Sequence, residues 1–185
     1  MPTALTRPLS GYEQDRSSNR GPGPAGNLPD VHEAASTGDL DALTWHIAHG
    51  RASTPSPAGF AALHHAAWHG RDAAIGLLLR SGVSVNQRSS HGCDGTTALH
   101  CAIANGHAQT VALLLERGAS TQATDEAGFT PLMLAAELGL LPVVKLLLTH
   151  GADPHVEIGD HGALAAARRN RHAQVVALLR QVGVR

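Results

Sequence analysis

A pattern of apolar residues that recurs about every 33 residues constrains this chain more than any other feature. Each copy has two short apolar blocks at helical spacing, separated by one residue that we call the turn position. Alanine lies four residues before the turn position in every copy, and leucine or valine lies seven before it. This period predicts a repeat architecture of stacked units. The turn positions are Gly38, Gly70, Gly106, Gly139 and Arg171.

The stretch 97–119 shows what one unit is. Apolar residues fall at i, i+3 and i+4 on both sides of Gly106, which indicates two short helices joined by a tight turn. Thr97 stands where a helix N-cap is expected, and Gly118 ends the second block. Helices of two to three turns are not stable alone in water, so each pair must bury its apolar faces against the next pair.

The residues around the turns carry a family resemblance. Thr97-Ala98-Leu99-His100, Thr130-Pro131-Leu132-Met133 and the turn Gly106-His107 resemble the motifs of ankyrin repeats. The resemblance extends from about residue 27 to the C-terminus and implies an all-α solenoid of five helix-turn-helix repeats with β-hairpin fingers. The expected organisation is a disordered N-terminal tail over 1–26, then an ankyrin repeat domain over 27–185, with repeats at about 27–52, 53–85, 86–123, 124–153 and 154–185.

Composition narrows the possible functions. Aromatic residues make up 3% of the chain, so the core is expected to consist of leucine, valine and alanine. The net charge is -1, so neither a nucleic-acid nor a membrane partner is expected. Two cysteines without a secretory signal favour a reducing compartment, the cytoplasm with the nucleus as a second possibility. The sequence has no phosphate-binding loop, nucleophile elbow or HExxH motif. We therefore expect no enzymatic activity and no cofactor.

Histidines recur at fixed places in the repeat. Three lie six residues before a turn position, and the resemblance implies that their rings bond to backbone near the helix start. Repeated placement favours a structural role over a chemical one. The first set is His32, His64 and His100, and a second set, directly after the turn position, is His107 and His172.

A metal site is the alternative interpretation of the other histidines. His65 and His69 are four residues apart, a spacing that can bind a metal from one helix face, and His91 and Cys93 lie in a nearby insertion. Further ligands at fixed spacing are missing, so we predict no metal site and keep a metal-binding or metal-sensing protein as an alternative function.

The predicted binding surface follows from the same resemblance, which implies that positions ten, two and one before the turn face a concave groove. Exposed aromatic rings are typical anchors of protein interfaces. The opposite possibility is that these rings pack against the fingers and are buried. Arg88 and His91 lie in the insertion Asn86–Asp94, which is either an outlying binding arm or a neutral loop. The predicted partner-binding residues are Phe60, Trp68, His69, Arg88, His91, Asn105, Phe129, Glu137 and Leu138.

These features predict a protein–protein interaction module, an adaptor, scaffold or inhibitor that is monomeric on its own and binds another protein. A further alternative is a structural subunit of a larger assembly, in which the end faces of the solenoid make the contacts. Leu40 and Val182 are the residues whose replacement by a charge would test such contacts. Arginines in the last repeat fit either a solvated end cap or a site for an acidic partner.

Overall fold

The computed structural model describes residues 28–90, 95–125, 127–159 and 161–184. Within these ranges, helices of seven residues alternate with helices of nine, and together they form five helix pairs. One short hairpin precedes the last pair. The elements are α1 Val31–Thr37, α2 Leu40–Ala48, α3 Ala62–Trp68, α4 Asp72–Arg80, α5 Ala98–Ala104, α6 Ala108–Glu116, α7 Pro131–Glu137, α8 Leu141–Thr149, β1 Glu157–Ile158, β2 His161–Gly162, α9 Ala163–Arg169 and α10 Ala173–Gln181.

Local sequence sets where the short helices begin. The Asp30 side chain accepts hydrogen bonds from the backbone N–H groups of His32 and Glu33, both at 2.8 Å. Thr130 accepts from the N–H of Met133 at 3.3 Å, and Pro131 follows it at the first helical position. Asp30 and Thr130 are therefore the N-caps of α1 and α7.

The turn position requires a left-handed backbone in each pair. Its φ is positive at all four glycines and also at Arg171, where it is +60°. At Gly70 the next pair also approaches closely, because an added Cβ would lie 3.0 Å from Nδ1 of His107. Glycine is therefore favoured there both by the backbone conformation and by the close approach of the next pair.

The helices stack in sequence order as two layers. The seven-residue helices form one continuous layer, α1 on α3 on α5 on α7 on α9. The nine-residue helices pack behind them, with contacts of α2 with α4, α6 with α8 and α8 with α10. Leucine, valine and alanine side chains fill the ribbon-shaped core between the layers. The all-α repeat solenoid predicted from the sequence is confirmed.

The fingers contain less sheet than predicted. Among the described residues, only β1 and β2 form a hairpin, in which Glu157 pairs with Gly162. Two other fingers have a single isolated bridge each, Pro55 with Ala61 and Arg88 with Thr97. Proline at residue 55 cannot donate a backbone hydrogen bond, which limits pairing in the finger before α3.

Three sequence-based predictions lie outside the described residues: the disordered tail over 1–26, His91 and Cys93. The repeat boundaries remain predictions. Across the described residues, none of the helices has the length and apolar character needed to cross a membrane.

The core predicts the effect of a truncation at its centre. Leu114 is 0% exposed, and Leu114→Ala leaves a cavity that we expect to lower the free energy of unfolding by about 2–5 kcal/mol. Urea unfolding followed by circular dichroism measures the loss. Val182→Ala is the control, because Val182 is 42% exposed and its truncation should change stability by less than about 0.5 kcal/mol. Equal effects of the two variants would contradict the core placement of Leu114.

Candidate functional site

Hydrogen bonds between neighbouring pairs align one edge of the solenoid. At three of the four junctions, the side chain of the residue directly after the turn position donates a hydrogen bond to a backbone carbonyl of the preceding pair. The acceptor residue lies two positions before the turn of that preceding pair. Leu140 holds this place at the remaining junction, where an apolar side chain cannot donate. The three bonds are Arg71 Nε to Ser36 O at 2.8 Å, His107 Nε2 to Trp68 O at 2.9 Å and His172 Nε2 to Glu137 O at 2.9 Å.

These bonds produce what we call the double row, the ten residues at positions two and one before each turn. Every member is exposed or half-buried. Five predicted binding residues belong to it, and the other five complete it without having been predicted as binding residues. The first row is Ser36, Trp68, Ala104, Glu137 and Arg169, and the second is Thr37, His69, Asn105, Leu138 and Asn170.

Side-chain bonds further fix the double row. Asn105 Nδ2 donates to the carbonyl of Cys101 at 3.1 Å, and Asn170 Nδ2 donates to the carbonyl of Glu137 at 2.9 Å. The Glu137 carbonyl therefore accepts from both Asn170 and His172 of the next pair. The row positions are held by the fold before any partner binds.

The prediction that Phe60 is an exposed anchor is wrong. Its side chain is 1% exposed and packs edge-on against the imidazole rings of His64 and His65, with centroids 5.6 and 6.1 Å away. The finger before α3 folds back over the helix, since Ser56 N–H donates to the carbonyl of Phe60 at 2.8 Å. This ring stabilises the core and is not available to a partner.

Phe129 occupies the equivalent place two repeats later and has a different environment. Its ring is half-buried and lies 6.3 Å from the ring of His161, which belongs to the next finger and is exposed. The backbone at Phe129 is fixed by its N–H, which donates to the Asp125 carboxylate at 2.8 Å. On the finger side of the site, Phe129 is therefore partly accessible to a partner, whereas Phe60 is not.

The insertion is tied to its neighbours where the structure describes it. Arg88 is exposed, and its guanidinium donates to the carbonyl of Thr124 in the following finger at 2.6 Å. Asn86 donates to the carbonyl of Gly118 at 3.2 Å and accepts from the N–H of Ser120 at 2.8 Å. Residues 86–90 thus connect consecutive repeats.

Buried histidines join each helix start to the next finger. His64 Nδ1 accepts from Ala61 N–H at 3.1 Å while its Nε2 donates to the carbonyl of Thr96, also at 3.1 Å. His100 accepts from Thr97 N–H at 3.3 Å and donates to the carbonyl of Phe129 at 3.2 Å. The predicted backbone bonding of these rings is confirmed. Burial lowers the pKa of both imidazoles to about 4, so both are neutral at pH 7.

His65 and His69 have unlike surroundings, which does not favour a shared metal ion. His65 is 6% exposed, its ring lies 5.1 Å from that of His32, and burial lowers its pKa to about 3. His69 is exposed, and partial desolvation lowers its pKa to a smaller extent. Within the described ranges, no three His, Cys, Asp or Glu side chains converge on a possible metal position.

Comparisons with known proteins agree with this geometry. Residues 58–90 match the family model described as ankyrin repeat, and residues 85–158 match the model described as ankyrin repeats in three copies. Together the matches span more than half of the chain. They leave out the first and last helix pairs, so a count of five ankyrin repeats stays a prediction. The comparison with curated proteins gives no match.

The buried imidazoles predict that acid destabilises the fold. His64, His65 and His100 have folded pKa values below the ordinary 6.5, so the unfolded chain binds more protons than the folded chain below pH 6.5. Stability is full above pH 6.5 and falls as the pH approaches 4 and then 3. Between pH 7 and pH 5 we expect a loss on the order of 1–2 kcal/mol for each of the three rings.

Urea unfolding across this pH range measures the loss. His65→Gln should remove one of the three contributions to the dependence of stability on pH, and His155→Gln, at an exposed position, should leave all three in place. Asp30 does not contribute between pH 7 and pH 5, because its interaction with the His32 side chain lowers its pKa to about 2. Equal stability at pH 7 and pH 5 would contradict the assignment of neutral buried rings.

Proposed function

Because the chain belongs to the ankyrin repeat family, whose repeats generally serve as protein–protein interaction modules, we propose that the double row and Phe129 bind a partner protein. The chain would act as an adaptor, scaffold or inhibitor in the cytoplasm or nucleus. The chain would function by binding alone, without a catalytic residue or a cofactor, as is general for this family.

The double row supports this proposal more than any other feature. Trp68 and Leu138 are half-buried apolar side chains. Trp68 lies between Ser36 and Ala104 in its row and next to His69, and Leu138 lies between Asn105 and Asn170 and next to Glu137. Aromatic side chains surrounded by polar groups are typical hot spots of interfaces. Since hydrogen bonds from side chains to backbone carbonyls already hold the rows, binding would cost little ordering entropy on this side of the interface.

The shape of the surface suits an extended segment or a helix of the partner. The row positions repeat once per helix pair, and every pair contributes one residue to each row. Charge along the first row is uneven, with Glu137 next to Arg169 toward the C-terminal end and no charged side chain at Trp68 or Ala104. A partner would therefore place apolar side chains over Trp68 and polar ones over the last two pairs.

The test is a pull-down with the intact chain and, in parallel, with the double variant Trp68→Ala/Phe129→Ala. The protein retained by the intact chain is then titrated against Trp68→Ala. We expect the single variant to lose about 2 kcal/mol or more of binding free energy, which is about thirtyfold in the dissociation constant. Unaltered affinity would contradict the proposed surface.

Phe60→Leu is the matched control for this test. Its ring is buried, so the variant should lower the melting temperature without lowering affinity at a temperature where it remains folded. Trp68 also packs partly against the core, so binding of its variant is compared at the same low temperature. Loss of affinity in Phe60→Leu to the same extent would indicate an effect of stability and not of the surface.

A further inference from the structure

The two ends of the solenoid have side chains that would be covered if another helix pair followed. Three residues before the turn, the first four pairs bury a small or aliphatic side chain, whereas the fifth pair has the exposed Arg168. Nine residues after the turn, the earlier pairs pack Ile47, Leu79, Leu115 and Leu148 against the core, whereas the fifth pair has the exposed Arg180. These positions define the C-terminal end face.

The C-terminal end face is basic and contains a cleft. Arg168, Arg171 and Arg180 surround an open cleft of about 440 Å³ that is also lined by Ala173, Val176 and Ala177. Val176 is only half-buried, although the residues at its position in the earlier pairs are buried. An apolar floor with a rim of three guanidinium groups fits a surface that carries carboxylates.

The N-terminal end face is acidic at the positions that contact a preceding pair. The residue directly after the turn touches the preceding turn position: an added Cβ at Gly38 would lie 3.4 Å from Arg71, and one at Gly70 would lie 3.0 Å from His107. In the first pair this residue is Asp39, which is exposed.

A second acidic residue faces the same way. Five residues before the turn, the second pair has His65, whose ring lies 5.1 Å from that of His32 in the pair before it. The first pair has Glu33 at this position, and it is exposed. Glu33 and Asp39 therefore both stand where an earlier helix pair would make contact.

We propose that a second copy of this chain docks its N-terminal end face on the C-terminal end face of the first, so that the stack of helix pairs continues across the two chains. Within one chain, the residue directly after a turn contacts the turn position of the preceding pair. If the repeat continues across the two chains, Asp39 of one copy therefore contacts Arg171, which is the last turn position of the other copy. Glu33 adds a second carboxylate to the same N-terminal end face as Asp39.

This association goes beyond the proposed function and departs from the monomer expected from the sequence. The contact joins two different faces, so each dimer keeps one free face of each kind and the copies can form open linear arrays. The double row runs along the edge of the pairs and stays accessible in such an array. Because the paired charges are at the protein surface, the association is weak and sensitive to salt.

Sedimentation velocity of the full chain tests the proposal over a concentration series in about 0.05 M and about 0.5 M NaCl. We expect the weight-average sedimentation coefficient to rise with concentration in low salt and to rise less in high salt. A coefficient that stays at the monomer value at every concentration would overturn the proposal.

Charge-swap variants identify the faces. Arg171→Asp places a carboxylate opposite Asp39 of the other copy, and Asp39→Arg places a guanidinium opposite Arg171, so each variant alone should associate at least about tenfold more weakly than the native chain. A mixture of the two variants should recover association, because each then meets an opposite charge. A mixture that associates no better than its components would contradict the proposed register.

Folding and general charge effects are controlled within the same chain. Aspartate tolerates the left-handed backbone at residue 171, so Arg171→Asp should fold. Asp39 caps α2 by accepting from the Ala42 N–H at 3.0 Å, so Glu33→Arg is a second variant of the same face that leaves this cap intact. Asp41→Arg and Arg117→Asp make the same charge changes at positions that are exposed in every pair. These two variants should associate like the native chain, and an equal loss would indicate a non-specific charge effect.

Discussion

The stacking of one helix pair on the next is the interaction on which the whole structure depends. Helices of seven and nine residues cannot hold their own hydrogen-bonded turns in water, because nucleation costs more than so few turns return. Burial of leucine, valine and alanine between layers supplies the missing free energy. The helices therefore persist only as a row, and the ends of the row necessarily differ from its middle.

Polar contacts set the spacing within that row. Bonds from Arg71, His107 and His172 to carbonyls of the preceding pair lock neighbouring helices in register. The buried imidazoles of His64 and His100 attach the starts of α3 and α5 to the finger that follows each pair. The buried rings of His64 and His100, together with that of His65, also give the molecule its expected sensitivity to acid. The interaction surface and the pH dependence thus rest on different hydrogen-bonded groups of the same stack.

The repeat period revealed the turn positions, the N-cap position at Thr97 and the order of stacking, because these depend on residues close together in sequence. The exposure of aromatic rings could not be predicted in the same way. Phe60 and Phe129 hold the same place in the repeat, yet only the first ring is sealed, against His64 and His65. Its burial depends on the path of a finger that contains Pro55, and on a histidine that has leucine as its counterpart in the fourth pair. The sequence alone could not assign Asp39, Glu33 and the C-terminal arginines to opposite end faces, because that assignment depends on which positions a neighbouring pair covers in the structure.

The most direct test of this account is the helicity of one isolated helix pair, a peptide spanning residues 95–121, measured by far-ultraviolet circular dichroism in water. The account predicts a largely unfolded spectrum and no cooperative thermal transition, whereas the full chain shows both helix and a cooperative transition. Native-like helicity with a cooperative transition in the peptide would contradict the claim that a pair folds only against its neighbours.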